Sequence, residues 1–166
     1  MDELFHLAQV NVALLREPID SDLLADFVSE LDPVNAAADA APGFVWRLQT
    51  EDGDATSIRA FDDDRIIVNM SVWESVEALA EYVFRHPEHR AVLTKRRKWF
   101  HKVEAAHVVL WRVPAGHVPT VEEAEERLEF LREHGPTPVA FTFKHRFTAP
   151  AGERVADDRD DWLCPA

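Results

Sequence analysis

The sequence predicts an α+β domain: a ferredoxin-like antiparallel sheet with helices on one face. Three observations predict it. The apolar periodicities run strand, helix, strand, strand, helix, strand, followed by a further helix and strand. The stretch RIIVNMSVW alternates Ile66, Val68, Met70 and Val72 with Ile67, Asn69, Ser71 and Trp73, the period of a strand with two unlike faces. The chain has 166 residues, 46% of them hydrophobic, enough to bury one core of ordinary size. Residues 1–147 are assigned to this single domain, and residues 148–166 to an irregular C-terminal tail.

The elements follow in order. LFHLAQVNVALL (4–15) is rich in apolar and β-branched residues and reads as a strand. Asp20-Ser21-Asp22 is a helix-start signal, and Leu23, Leu24, Phe27, Val28 and Leu31 recur at helical spacing. Asp32-Pro33 places proline at a first helical position, so a second, alanine-rich helix is expected to about Ala41. Pro42-Gly43 breaks it before the strand FVWRLQT. A short strand is expected over 56–61, then the strand of 65–73. SVEALAEYVFR is a helix interrupted at Pro87, and EHRAVLTKRRKWFHKV carries helix on to about Lys102. AHVVLWRV (106–113) is a strand. Thr120-Val121-Glu122-Glu123 is a capping box whose helix ends at Gly135-Pro136, and VAFTFKHRF is the last strand. A sheet with helices on one face leaves its other face open, and a second copy of the chain is the simplest cover, so a homodimer is expected.

Composition excludes several function classes. A formal net charge of −13 argues against a nucleic-acid binder, because phosphate contacts need a basic surface. The basic run Lys95-Arg96-Arg97-Lys98 reads as a helix face balancing acidic neighbours. No apolar run reaches the length of a membrane span, and the acidic start lacks a secretory n-region. With the single cysteine, Cys164, no disulfide framework or thiolate metal site forms within one chain, so a cytoplasmic location is expected. Phosphate-cradling glycine loops, HExxH, CxxC and GxSxG are all missing.

The candidate chemistry centres on FRHPEHR (84–90). On a regular helix of about 100° per residue, Leu93, Arg96 and Phe100 fall within roughly 40° of His89. His89 thus lies in the stripe facing the sheet. It is a core imidazole bonded to a backbone carbonyl or a side chain, a general acid or base, or an axial haem ligand. His86 precedes a proline and reads as a cap or hinge. Arg96, on the same stripe, needs an anion if buried. Trp46, Trp73, Trp99 and Trp111 are core aromatics first and pocket walls second. Trp73 shares a strand face with Asn69 and Ser71, and Gln9 shares one with Asn11; amides in the middle of strands need partners, in the chain, in a dimer mate or in a ligand. His107 and His117 are weaker candidates.

Pro42-Gly43-Phe44, VNMSVWESVEALAEYV and the histidine of HPEHRAV resemble the dimeric α/β-barrel superfamily, which includes antibiotic-biosynthesis monooxygenases and haem-degrading monooxygenases. More specifically, Leu7 to Phe143 resembles an uncharacterised bacterial domain family within it, through LAQVNVALL, DPVNAAADAAPGFVWRLQTEDG, FDDDRIIVNMSVWESVEAL, HRAVLTKRRKWF, VLWRVPAGHVPTVEEAEERL and HGPTPVAFTF. The resemblance implies a dimeric α/β barrel with a pocket between sheet and helices. Haem-degrading members use a first-strand asparagine, a tryptophan and a helix histidine. Asn11 and His89 match two of these, while the tryptophan's place falls near Leu79 or Tyr82. Cofactor-free members oxidise electron-rich polycyclic phenols with the substrate as reductant.

The expected protein binds a small molecule in that pocket and acts as a cofactor-independent monooxygenase-like enzyme, with no nucleic acid or membrane partner. His89, Asn11 and Asn69 are the expected catalytic residues, and Trp73, Arg96, Trp46 and Trp111 the expected substrate-binding residues. No metal site and no cofactor are expected. The alternatives are a haem binder with His89 as ligand, a hydrophobic-ligand binder, or a non-catalytic dimeric interaction protein.

Overall fold

The computed structural model describes residues 4–51, 53, 56, 58–147 and 154–156. Strand β1 (Phe5–Leu15) is the central strand. Strand β3 (Ile66–Trp73) lies antiparallel along one side of it, and β2 (Phe44–Arg47) lies beyond β3. Strand β5 (Val108–Pro114) pairs antiparallel with the other side of β1. Between them run helices α1 (Asp22–Asp39), α2 (Val76–Arg85) and α3 (Pro87–Trp99), which makes the predicted ferredoxin-like order. Helix α4 (Val121–His134) follows β5.

The registers sort the residues onto two faces. Leu7 faces Trp73 and Arg112, Gln9 faces Ser71 and Leu110, and Asn11 faces Asn69 and Val108. These rows lie on the face that α1, α2 and α3 pack against, where Leu7, Trp73, Leu79, Tyr82 and Leu110 form one core cluster. A second cluster on that side joins Leu15 and Ile67 to Leu24, Phe27 and Trp99. The opposite face carries Ala8, Val10, Val12, Val68, Met70, Val72, Val109, Trp111 and Val113.

That opposite face is closed by the chain itself. Ala124, Leu128 and Leu131, one stripe of α4, pack onto it with Ala60 and Phe61. The second copy expected as its cover is therefore not needed there. Val10, Met70, Val72 and Trp111 are each no more than 1% exposed in the single chain.

Four elements differ from expectation. Helix α1 runs unbroken through Pro33, although an interior proline costs roughly 3 kcal/mol. Burial of Leu24 and Phe27 on one side of it and Ala38 on the other holds both halves on one axis. Helix α3 stops at Trp99, because Phe100 and His101 leave it to pair with Leu15 and Leu14 as strand β4. Trp99, 1% exposed, anchors that exit against Phe27 at 5.2 Å. No strand forms over 56–61 among the described residues; Phe61 and Asp62 adopt φ of 57° and 52°, a turn that drops Ala60 into the core. The last predicted strand is divided, with Phe141 bridging Leu110 and β6 (His145–Phe147) pairing instead with β7 (Arg154–Ala156). Strand β7 falls in the stretch expected to be irregular, whose remainder, with Cys164, lies outside the described residues.

Candidate functional site

The site is built on the helix-side face, in the row Asn69–Asn11–Val108. This row falls between the two core clusters, one gathered by α2 and the C-terminal half of α1, the other by the N-terminal half of α1 and α3. Asn69 is consequently exposed in the middle of an interior strand, and Asn11, paired across from it, is half-buried. A polar residue open to solvent at that depth marks a gap in the helix layer.

A hydrogen-bond relay sets the orientation of Asn69. Trp73 Nε1 donates to Ser71 Oγ at 2.8 Å. Gln9 Nε2 donates to the same hydroxyl at 2.8 Å and to Asn69 Oδ1 at 2.8 Å. Both amide protons of Gln9 are thus committed, and the Asn69 carbonyl is held as an acceptor. The Asn69 NH₂ group makes no hydrogen bond among the described residues and is free to donate. Asn11, next to it on β1, makes no side-chain hydrogen bond among the described residues. The two carboxamides are neighbours across the β1–β3 pair.

His89 points inward, as its place on the helix predicts, and bonds a backbone group. Its Nδ1–H donates to the Val83 carbonyl at 2.9 Å, which fixes the tautomer, since a carbonyl only accepts. The ring stands edge-on to Tyr82 at 5.0 Å, and Tyr82 stacks on Trp73 at 5.2 Å. Burial is the larger influence on the imidazole and pushes its pKa down to about 4, against the Val83 hydrogen bond, which opposes it. His89 is therefore neutral near pH 7 and braces Tyr82 and Trp73 behind the relay. Burial likewise raises the Tyr82 phenol, whose hydroxyl donates to the Val34 carbonyl at 2.8 Å. As a haem ligand His89 fits poorly. Its ring is packed on Tyr82, and its Nδ1 is engaged by the Val83 carbonyl.

The other candidates divide. Trp73 joins the relay, whereas Trp46 and Trp111 pack on the opposite sheet face, away from Asn11 and Asn69. Trp111 is fully buried, and its indole donates to Glu123 Oε1 at 3.1 Å. Arg96 lies with His107, the residue before Val108, at 3.3 Å between Nη2 and Nε2. Burial first, and the Arg96 charge second, hold the His107 pKa below its ordinary value. His86 caps α3 through its Nδ1, which accepts from the Glu88 amide at 3.3 Å. Lys95 pairs with Glu30 and Asp26 of α1, so the basic run does balance an acidic neighbour. Sequence reasoning singled out Gln9 and Ser71 only as polar strand residues; their role as the link from Trp73 to Asn69 needs the strand register. It passed over Arg112, whose signal was a cation on the same strand face as Val108 and Leu110.

Among the described residues, no group of three or more His, Cys, Asp or Glu side chains is placed to hold a metal ion, and no helix is long and apolar enough to cross a membrane.

Fold and site together define an α+β, ferredoxin-like domain with a solvent-exposed asparagine on the helix-side face of its sheet. Residues 6–157 match the family described as a domain of unknown function (DUF3291), and the chain belongs to that family. Among solved structures it is similar to SnoaB, a cofactor-independent oxygenase from Streptomyces nogalater, at 20% identity, covering 69% of this chain and 98% of that one, with a TM-score of 0.46. A candidate antibiotic biosynthesis monooxygenase from Nitrosomonas europaea aligns at 11% identity over 72% of this chain and 98% of its own, with a TM-score of 0.46. A third, from Chloroflexus aurantiacus and described in the same way, aligns at 12% identity over 70% and 98%, with a TM-score of 0.43. These likenesses concern the fold alone. No curated protein matches the chain.

Proposed function

We propose that the Asn11–Asn69 row is the floor of a small-molecule site, and that the protein is a cofactor-independent, monooxygenase-like enzyme acting on an electron-rich phenol. One observation carries this reading: Asn69 is open to solvent in an interior strand while Gln9 pins its carbonyl, so its NH₂ group is free to donate. Two neighbouring carboxamides, each with an NH₂ to donate, match an oxygen that gains negative charge. Hydrogen bonds to a charged group contribute about 1.5–3 kcal/mol each, so such a pair favours the phenolate over the phenol. A phenolate is the stronger reductant. In the overall reaction a substrate CH₂ group and O₂ become a carbonyl and water; the substrate supplies the electrons, and one oxygen atom leaves in the water. Trp73 and Ser71 act here through Gln9, as positioning residues.

His89 is better read as a brace than as the base, because its Nδ1 proton is engaged by Val83 and its pKa of about 4 leaves little driving force for proton abstraction. The test is oxygen uptake with a panel of polycyclic phenols such as 1,8-dihydroxyanthrone. One O₂ consumed per substrate is expected. Loss of one preset donor in Asn69→Ala is expected to lower kcat/KM by about 10²-fold. Asn69→Ala with wild-type turnover, or no uptake across the panel, rejects the enzymatic reading. A Soret band on titration with haem, lost in His89→Ala, supports the haem-binding alternative instead.

A further inference from the structure

At the far end of the same sheet face, two rungs from the Asn11–Asn69 row, Arg112 stands opposite Leu7. A cavity of about 350 Å³ opens there, within the range of small-ligand pockets. Phe5, Val76 and Phe147 give it apolar walls. Its charged and titratable lining is His6, Glu74, Glu77, Arg112 and Arg146. The buried cluster around Leu7, Trp73, Leu110 and Tyr82 lies between this cavity and the asparagine row, so the two are separate places.

Arg112 is unusual. Its Nη1 is shut off from solvent and has no hydrogen-bond partner among the described residues. Among the described residues it forms no ion pair, and its guanidinium lies over the Phe141 ring at 5.1 Å. Burial holds its pKa below the ordinary arginine value, with the Glu77 charge opposing. A guanidinium nitrogen buried without a hydrogen-bond partner is costly to keep. His6 Nδ1 on the same cavity is also buried without a hydrogen-bond partner. Arg146, only 7% exposed, adds a second guanidinium, with its Nε donating to the Phe143 carbonyl at 2.9 Å.

We infer that this cavity binds a small organic carboxylate with an apolar body, its carboxylate seated on Arg112 beside Arg146 and His6. The planar guanidinium fork matches a carboxylate in geometry. Glu74 and Glu77 in the same lining disfavour a dianion such as phosphate, and the phenyl walls favour an apolar remainder. The site is independent of the oxygenase reading, since its readout is binding of an acid and not oxygen uptake.

The experiment is isothermal titration of the full chain with phenylacetate and, as the neutral counterpart, 2-phenylethanol. Phenylacetate is expected to bind and the alcohol to bind at least about tenfold more weakly. Arg112→Met is expected to lose that preference while melting no lower than wild type, because it removes a cation whose Nη1 is buried without a hydrogen bond. Arg112→Lys, which keeps the charge without the fork, is expected to weaken phenylacetate binding and decides the matter if Arg112→Met does not fold. Equal affinity for acid and alcohol, no binding of phenylacetate by the wild type, or wild-type affinity in these variants overturns the inference.

Discussion

His89 is the residue whose chemistry is most altered by its surroundings. Its angular position on α3 faces the sheet, and the fold keeps it inward, bonded to Val83. Its folded pKa of about 4 lies below the ordinary value of 6.5, so the native state holds it neutral. The unfolded imidazole takes up a proton below pH 6.5 while the native one does not. The stability this gives is complete above pH 6.5, falls as the pH drops toward 4, and amounts to at most about 3 kcal/mol for a part-buried ring. His89→Phe is expected to lose that part of the slope, as read from urea unfolding at pH 7 and pH 4.5. Oxygen uptake at pH 7 is expected to keep most of its rate in the variant, since a positioning ring is replaced by another. Gly43 is a second residue with a specific demand. Its φ is 82°, and a Cβ there meets Ala78 Cβ at 2.5 Å. Gly43→Ala should destabilise the fold by about 2–3 kcal/mol in the same measurement, because it adds both a strained backbone and a clash with α2.

At the scale of elements, capping chemistry was the most legible part of the chain. Thr120 accepts from the Glu123 amide at 3.1 Å, and Gly135 ends α4 with a φ of 73°, both as the local sequence demands. These are short-range preferences, so neighbours in the chain suffice to specify them. Pro33 and the Phe100-His101 strand were not legible, since each depends on packing partners distant in sequence: Leu24, Phe27 and Ala38 for the first, Leu14 and Leu15 for the second. The apolar stripe of α4 was readable, but its target was not. Leu128, fully buried, packs on the sheet face that a second copy was expected to cover. Leu128→Ala should therefore cost about 2–5 kcal/mol, the range for a large-to-small change in a filled core, measurable by denaturant titration. A cost near zero would mean that α4 does not seal that face.

At the scale of the molecule, closure within one chain has a consequence for concentration. If each chain buries both faces of its own sheet, the urea midpoint should not move between low and high micromolar protein; a midpoint that rises with concentration would place a second copy in the closure. The −13 formal charge adds a separate expectation, that moderate salt raises stability by screening self-repulsion. The sequence by itself determined the ferredoxin-like order of β1, β2, β3 and β5 with their helices, the two unlike faces of β3, the inward place of His89 and the caps of α3 and α4, because periodicity and local hydrogen bonding act over a few residues. Only the tertiary structure decided that Trp46 and Trp111 face away from Asn11 and Asn69, that Gln9 ties Trp73 and Ser71 to Asn69, and that Arg112 lines a cavity. Those facts depend on strand register and on which helix covers which face, and register joins residues some 60 positions apart, as in the Gln9–Asn69 bond.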